Sequence, residues 1–167
     1  MPMDITSWAA TWFLPFVLPI CLWVMWNDLR VMRIPNKLVL ALAGVFLVVG
    51  LIAMPSWQDY GMGLVAMFVM LIVGMVANAA GLMGAGDSKF IAAAAPFIAL
   101  GDLRFLLFLF SANILACVVT HRMAKATPLR QMAPEWVSWD RGKKFPMGFS
   151  LGATLVIYLI FGILRGA

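Results

Sequence analysis

Residues 38–54 read LVLALAGVFLVVGLIAM, and no charged side chain occurs from Leu38 to Gln58. A helix needs about 20 predominantly apolar residues to cross the hydrocarbon core of a bilayer. This stretch therefore predicts a transmembrane helix. Three further uncharged runs of similar length lead to the same prediction: Ile5–Asn27, Tyr60–Gly86 and Phe145–Leu164.

The composition of the whole chain agrees with a membrane protein. Of its 167 residues, 64% are hydrophobic and 11% are charged, whereas soluble domains carry roughly 25% charged residues. A soluble globular protein is therefore excluded. The apolar runs leave no polar linker long enough to separate two domains, so residues 1–167 are predicted to form a single membrane-embedded domain.

The region Phe90–Thr120 is also apolar, but Asp102 and Arg104 interrupt it next to Gly101. This pattern is typical of a turn, so the region predicts two helices joined as a hairpin. The sequence thus predicts an all-α, polytopic membrane helix bundle with about six transmembrane helices. The expected spans are Trp8–Trp26, Leu38–Met54, Gly61–Ala80, Ser88–Leu100, Leu103–Thr120 and Phe145–Leu164.

The basic residues predict the orientation of this bundle. If the spans alternate in direction, ten of the twelve basic residues fall on one side, and only Arg104 and Arg165 lie opposite. Cytoplasmic loops carry an excess of lysine and arginine, so the ten are expected in the cytoplasm and both termini outside. The same rule explains the net charge of +5 without a nucleic acid partner. The ten are Arg30, Arg33, Lys37, Lys89, Arg122, Lys125, Arg130, Arg141, Lys143 and Lys144.

The fourth span, Ser88–Leu100, is the shortest. At a rise of 1.5 Å per residue it reaches about 20 Å, against a hydrocarbon core of about 30 Å. Its cytoplasmic end, with Asp87, is therefore expected to lie below the membrane surface. A re-entrant segment here would place the basic loop His121–Lys144 outside, and the charge bias argues against that alternative.

Residues that bind metals are few. Cys21 and Cys117 lie in apolar runs, and His121 has no cysteine or histidine cluster around it. Zinc needs three or four protein ligands in most sites. Neither a metal nor another cofactor is expected.

Two of the seven acidic residues are predicted to meet at the cytoplasmic face. Asp28 follows the first span and Asp87 precedes the fourth, and two further crossings return the chain to the same side. Ionisable groups near hydrocarbon are costly and are candidates for function. Two carboxylates in a poorly solvated site share a proton, so one can act as a base on water while the other acts as an acid. This is the chemistry of an aspartic protease.

Each carboxylate also has an ordinary structural interpretation. Asp87 follows Gly84-Ala85-Gly86, as a helix N-cap residue after a glycine turn does. Asp28 precedes Arg30 and Arg33, with which it could form ion pairs.

Two sequence segments, taken together, change this interpretation. They are Asp28-Leu-Arg-Val-Met-Arg-Ile-Pro-Asn36 and Gly84-Ala-Gly-Asp-Ser-Lys89. They resemble the paired motifs of the type IV prepilin peptidases, which have an aspartate before Ile-Pro-Asn and a later Gly-x-Gly-Asp-x-Lys. Phe145-Pro-Met-Gly-Phe149 also resembles the Pro-aromatic-Gly element near the end of that family, although Met147 replaces the aromatic residue.

The resemblance implies a membrane aspartic endopeptidase with Asp28 and Asp87 as its catalytic pair. It would remove short basic leader peptides from prepilins or pseudopilins at the cytoplasmic face of the bacterial inner membrane. The motif positions implied to bind substrate or to support the pair are Lys89, Gly84, Gly86, Pro35 and Asn36. Lys89 could equally be a lysine at a helix end that extends its amine to the membrane surface.

One part of the family pattern is missing from this sequence. Longer members of the family carry an N-terminal region with paired C-x-x-C motifs that is associated with methylation of the new pilin N-terminus. This chain resembles the short forms that serve tight-adherence (Flp-type) pilus systems. Methyltransferase activity and a zinc site are therefore not expected.

Two other functions fit a pair of acidic residues in a membrane. A small transporter or channel subunit could use Asp28 and Asp87 as a proton or cation relay, which requires acidic groups through the depth of the membrane. A structural scaffold could use them only to cap helices or to pair with basic residues. Besides prepilins, membrane lipids are the expected partners, and the sequence does not predict the oligomeric state.

Overall fold

The computed structural model describes residues 3–140 and 145–167. These residues form six α-helices and no β-strand, and all of the helices except α4 are long and apolar enough to cross a membrane. The predicted all-α membrane helix bundle is confirmed. The helices are α1 (Ser7–Val31), α2 (Asn36–Ala53), α3 (Trp57–Ala79), α4 (Ala85–Ala94), α5 (Leu103–Ala126) and α6 (Met147–Arg165). Three residues of the predicted basic face, Arg141, Lys143 and Lys144, lie outside the described residues.

Helix α1 continues beyond its predicted end. The apolar run ends near Trp26, but the helix extends to Val31. Arg30 lies in its last turn, where a positive charge interacts favourably with the helix dipole. Asp28 is consequently a helical residue rather than part of a loop after the helix.

Helices α1 and α6 pack against each other at the centre of the bundle. Small residues on α6 allow the two backbones to approach closely. A Cβ atom built on Gly152 would lie 2.9 Å from Met25 Cγ, and one on Gly162 would lie 2.9 Å from Ala10 Cβ. The side chains that α1 buries recur every three or four residues, as one helix face requires; they include Phe13, Val17, Cys21 and Val24.

The chain makes its fourth crossing of the bundle as an irregular segment. The predicted span Ser88–Leu100 is α-helical only to Ala94. Pro96 accounts for this end, because proline lacks the N–H group that would continue the α-helical hydrogen bonding. A 3₁₀ turn (Ala95–Phe97), an extended connection and a second 3₁₀ turn (Leu100–Asp102) complete the crossing.

Asp102 marks the far end of this crossing. Its carboxylate accepts hydrogen bonds from the backbone N–H groups of Asp4 and Ile5, at 2.8 and 3.0 Å, and from the Tyr158 hydroxyl at 2.8 Å. The N–H of Ala167 also donates to the carbonyl of Met3. Asp102 and both ends of the described chain therefore lie at the end of the bundle opposite Asp28.

Candidate active site

Asp28 lies in the last turn of α1 and is only 5% exposed. The helix ends at Met32, which adopts the left-handed conformation (φ 56°, ψ 42°) and donates its N–H to the Asp28 carbonyl at 2.9 Å. The chain then reverses, so that Ile34 is buried and Pro35 becomes the N-cap of α2. The first motif is thus a tight connection between α1 and α2.

The N-terminus of α6 binds the Asp28 side chain. The N–H of Gly148 donates to Asp28 Oδ2 at 2.7 Å. The N-cap of α6 is Pro146, which supplies no side-chain cap. The free N–H groups at a helix start carry partial positive charge and bind anions, so Asp28 caps a helix that is remote in sequence.

The lack of a side chain at Gly148 leaves room for this contact. A Cβ atom there would lie 3.0 Å from both Asp28 Oδ2 and Ile34 Cδ1. The sequence singled out Phe145–Phe149 as a motif but did not identify Gly148 as a site residue. Its closeness to Asp28 is a tertiary feature, and the motif spacing alone carries no such information.

Asp87 lies in the first turn of α4, and Gly84 is the N-cap of that helix. The interpretation of Asp87 as an N-cap residue is therefore wrong. The Asp87 side chain folds back over Gly84, where a Cβ atom would lie 2.9 Å from Asp87 Oδ2. Close packing against α3 fixes the start of α4, because a Cβ atom on Gly74 would lie 3.0 Å from Ser88 Cβ.

The fold brings the two carboxylates into one site. Helix α4, which carries Asp87, packs against α6, and the start of α6 binds Asp28 through the Gly148 N–H. Ile34 packs between Gly86 and Gly148. Its Cβ would lie 3.4 Å from a Cβ atom built on Gly86, and its Cδ1 would lie 3.0 Å from one built on Gly148. A side chain at Gly86 would make only an ordinary contact with Ile34, and neither Gly86 nor Gly84 has a positive φ.

Lys89 and Asn36 connect the two motifs directly. The Nζ atom of Lys89 donates a hydrogen bond to Asn36 Oδ1 at 3.2 Å, joining α4 to the start of α2. Both side chains are exposed. A different bond stabilises the connection between α1 and α2, because Asn27 Nδ2 donates to the Arg33 carbonyl at 2.6 Å.

Residues 3–140 and 145–167 contain one ion pair, between Arg130 and Asp140, with a nitrogen–oxygen distance of 2.9 Å. Asp28 therefore has no ion pair with Arg30 or Arg33 among these residues. The same part of the chain has no group of three His, Cys, Asp or Glu side chains arranged to hold a metal ion.

An aromatic cluster lies beside the end of α1 that carries Asp28. Trp26 contacts Trp136 edge to face with ring centroids 5.2 Å apart, and Trp136 stacks on Trp139 at 5.4 Å. The His121 ring stacks on Trp139 with centroids 4.7 Å apart, and His121 Nε2 lies 3.2 Å from Ser138 Oγ. This cluster anchors the loop after α5 beside the site.

A sequence profile of the type IV leader peptidase family matches residues 15–121. The chain belongs to this family. The matched region contains both Asp28 and Asp87, whereas Gly148 lies beyond it. The family expected from the motifs is thereby confirmed, and this peptidase carries both motif aspartates at one site. Searches of curated proteins and of solved structures found no significant match.

Proposed function

We propose that this peptidase is an aspartic endopeptidase that removes the short basic leader peptides of prepilins or pseudopilins. Asp28 and Asp87 are its catalytic pair. The observation that carries the proposal is that the two motif aspartates lie at one end of the bundle, one at the end of α1 and the other at the start of α4. Ile34 packs against Gly86, which precedes Asp87, and against Gly148, which binds Asp28. Membership of the leader peptidase family supports the same reaction class.

The pair hydrolyses the peptide bond with one shared proton. The ionised carboxylate takes a proton from water as the water oxygen attacks the scissile carbonyl carbon, and the protonated carboxylate donates to the carbonyl oxygen. The tetrahedral intermediate then collapses. The carbon–nitrogen bond breaks, the amine nitrogen receives a proton, and the pair returns to its singly protonated state.

The surrounding residues position this pair. The Gly148 N–H holds Asp28 Oδ2, which fixes one carboxylate relative to the N-terminus of α6. The bond between Lys89 and Asn36 holds α4, and with it Asp87, against the start of α2. Gly84, Gly86 and Pro35 shape the backbone on which these groups stand.

We place the site on the cytoplasmic side of the bacterial inner membrane. Arg30, Arg33 and Lys37 adjoin the site end of the bundle, and Lys89 lies within the site. An excess of basic residues is characteristic of cytoplasmic loops. A leader peptide that remains in the cytoplasm would reach the carboxylates from this side, and substrates of tight-adherence pilus systems are the first to test.

A proton or cation relay receives less support from the structure. Such a function requires acidic groups through the depth of the membrane. The buried acid at the opposite end, Asp102, binds the backbone of Asp4 and Ile5 and the Tyr158 hydroxyl. Its bonding is that of a structural residue, and the remaining pair lies at one end only.

The decisive experiment is co-expression of the chain with candidate prepilins in a host that lacks its own leader peptidase. Leader removal is followed by gel shift and N-terminal sequencing. We expect cleavage by the wild type and none by the Asp28→Asn or Asp87→Asn variants. Asp59→Asn is the matched control, because Asp59 is an exposed first-turn acid of α3 that contacts Ser56 rather than the site.

All variants are compared at equal membrane levels. Cleavage that survives in a well-expressed Asp28→Asn or Asp87→Asn variant contradicts the two-aspartate mechanism. If the wild type cleaves none of the prepilins, the proposed substrate class is wrong.

A further inference from the structure

A deep apolar groove opens on one side of the bundle, beside α5. This helix packs mainly on α6, and Cys117 is its only buried residue among those described. The space between α5 and α3 forms a groove of about 430 Å³, with α4 and α6 also contributing to its walls. The groove lies among helices of transmembrane length, so it is accessible from the lipid phase.

The groove begins close to the proposed catalytic pair. Phe90 lies in its wall three residues after Asp87 on α4, and Leu151 lies in its wall three residues after Gly148 on α6. Three residues of a helix rise about 4.5 Å, slightly less than one turn. Both helices that position the carboxylates therefore continue directly into the groove.

The groove has the surface chemistry that an apolar helix requires. Among the described residues that line it, Thr154 is the one with a polar side chain. Its hydroxyl already accepts from Asn113 Nδ2 at 2.8 Å and donates to the Ser150 carbonyl. Alanines line the opposite wall at Ala66, Ala94 and Ala95. Small side chains permit close approach of a second helix in a membrane, where packing rather than the hydrophobic effect drives association.

We infer that the substrate has an apolar helix directly after its scissile bond and that this groove binds that helix. The inference rests on the proposed function, since it assumes that the scissile bond lies at Asp28 and Asp87. The bound helix starts at the scissile bond and runs parallel to α4 and α6, away from the site. Helix-in-groove binding of this kind selects substrates by an apolar face next to the cleavage point.

This assignment explains how a membrane-embedded peptidase can select its bond. A polar leader gains nothing from the groove and stays at the site end, whereas the apolar helix is held along its length. The boundary between the two parts of the substrate is then placed at the carboxylates. An acyl chain or a second copy of the protein would fill the groove without placing a peptide bond there.

The test compares two leucines of α5 that have nearly equal exposure. Leu107 lines the groove and is 64% exposed, whereas Leu115 is 65% exposed and does not line it. We expect Leu107→Trp to slow leader removal about tenfold, as a misfit in an apolar binding site does. Leu115→Trp is expected to cleave at the wild-type rate, with both variants compared at equal membrane levels.

A second measurement reports binding without cleavage. A photo-crosslinking amino acid is placed at position 107 or 115 of the Asp87→Asn variant, which is co-expressed with a prepilin. We expect a crosslink to the prepilin helix from position 107 and none from position 115. A crosslink from 107 to lipid or to a second copy alone, or equal cleavage by the two tryptophan variants, overturns the inference. If the wild type does not cleave the prepilin, the proposed function is wrong. The crosslinking result is independent of cleavage, so it decides in that case too whether the groove binds the helix.

Discussion

The backbone N–H of Gly148 donates a 2.7 Å hydrogen bond to Asp28 Oδ2, and this bond joins the first helix to the last. A carboxylate near the C-terminus of its own helix is unfavourably placed, because that end of the helix dipole is negative. The N-terminus of α6 offsets this effect with its exposed N–H groups. The position of Asp28 is therefore set by α6 as much as by α1.

This relationship predicts the effect of a single methyl group. In Gly148→Ala the new Cβ lies about 3.0 Å from both Asp28 Oδ2 and Ile34 Cδ1, so the carboxylate or Ile34 has to move. We expect leader removal to fall about tenfold or more, since a small misplacement of a catalytic group costs up to about a hundredfold. The measurement is the cleavage rate of a co-expressed prepilin at equal membrane levels.

Gly44→Ala is the matched control for this substitution. Gly44 lies in α2, and a Cβ atom there would meet nothing within 4 Å. The control is expected to cleave at the wild-type rate. If Gly148→Ala behaves like Gly44→Ala, the Gly148 contact does not position the catalytic carboxylate.

The shared proton predicts a loss of activity at alkaline pH. Asp28 and Asp87 lie at the same end of the bundle, and two carboxylates that share a poorly solvated site do not both ionise easily. The reactive form carries one proton, so raising the pH until both groups ionise removes the acid. Cleavage by the purified protein in lipid vesicles, measured from about pH 5 to 10, is expected to fall on the alkaline side.

Two controls accompany the pH profile. Circular dichroism at each pH shows whether the helices remain intact, and exposure to high pH followed by return to neutral pH shows whether the loss is reversible. A rate that stays flat well above neutrality is inconsistent with catalysis by a singly protonated pair.

The bond between Lys89 and Asn36 predicts that hydrogen-bonding capacity matters more than charge at position 89. Lys89→Met removes the donor that binds Asn36 Oδ1 and is expected to lower cleavage several-fold. Lys89→Gln keeps an N–H donor and is expected to restore most of that loss. Because both residues are exposed, the melting temperature should change little in either variant. Equal loss in the methionine and glutamine variants would indicate that the positive charge is required instead.

The helical bundle could be predicted from the sequence because its determinants are local. Uncharged runs such as Leu38–Gln58 have the length of a transmembrane helix, and each predicted apolar span corresponds to a helix. The meeting of Asp28 and Asp87 could also be anticipated, since the number of crossings places both at the same end. The fourth crossing was less regular than expected, because the single residue Pro96 interrupts its hydrogen bonding.

The tertiary contacts of the site could not be predicted in this way. Gly148 is distant in sequence from Asp28, and only the packing of α1 on α6 brings their atoms together. The aromatic cluster around His121 and Trp139 depends on how a loop folds back, which has no periodic signal. Asp102 was assigned to an outer turn, but the surroundings that bury it come from both ends of the chain.

The last prediction concerns this second buried carboxylate. Tyr158→Phe removes two hydrogen bonds: the hydroxyl donates to Asp102 Oδ2 at 2.8 Å and accepts from the Ala99 N–H at 3.1 Å. The N–H of Ile5 continues to donate to Asp102 Oδ2. We expect the free energy of unfolding to fall by about 1–3 kcal/mol, because each lost hydrogen bond contributes about 1 kcal/mol and the Ala99 N–H is left without its partner. Thermal unfolding in detergent measures this change. The cleavage rate per folded molecule should remain at the wild-type value, because Tyr158 and Asp102 lie at the opposite end of the bundle from Asp28. A variant with normal stability but reduced cleavage would instead connect the two ends of the bundle functionally, and would assign Asp102 a part in the reaction.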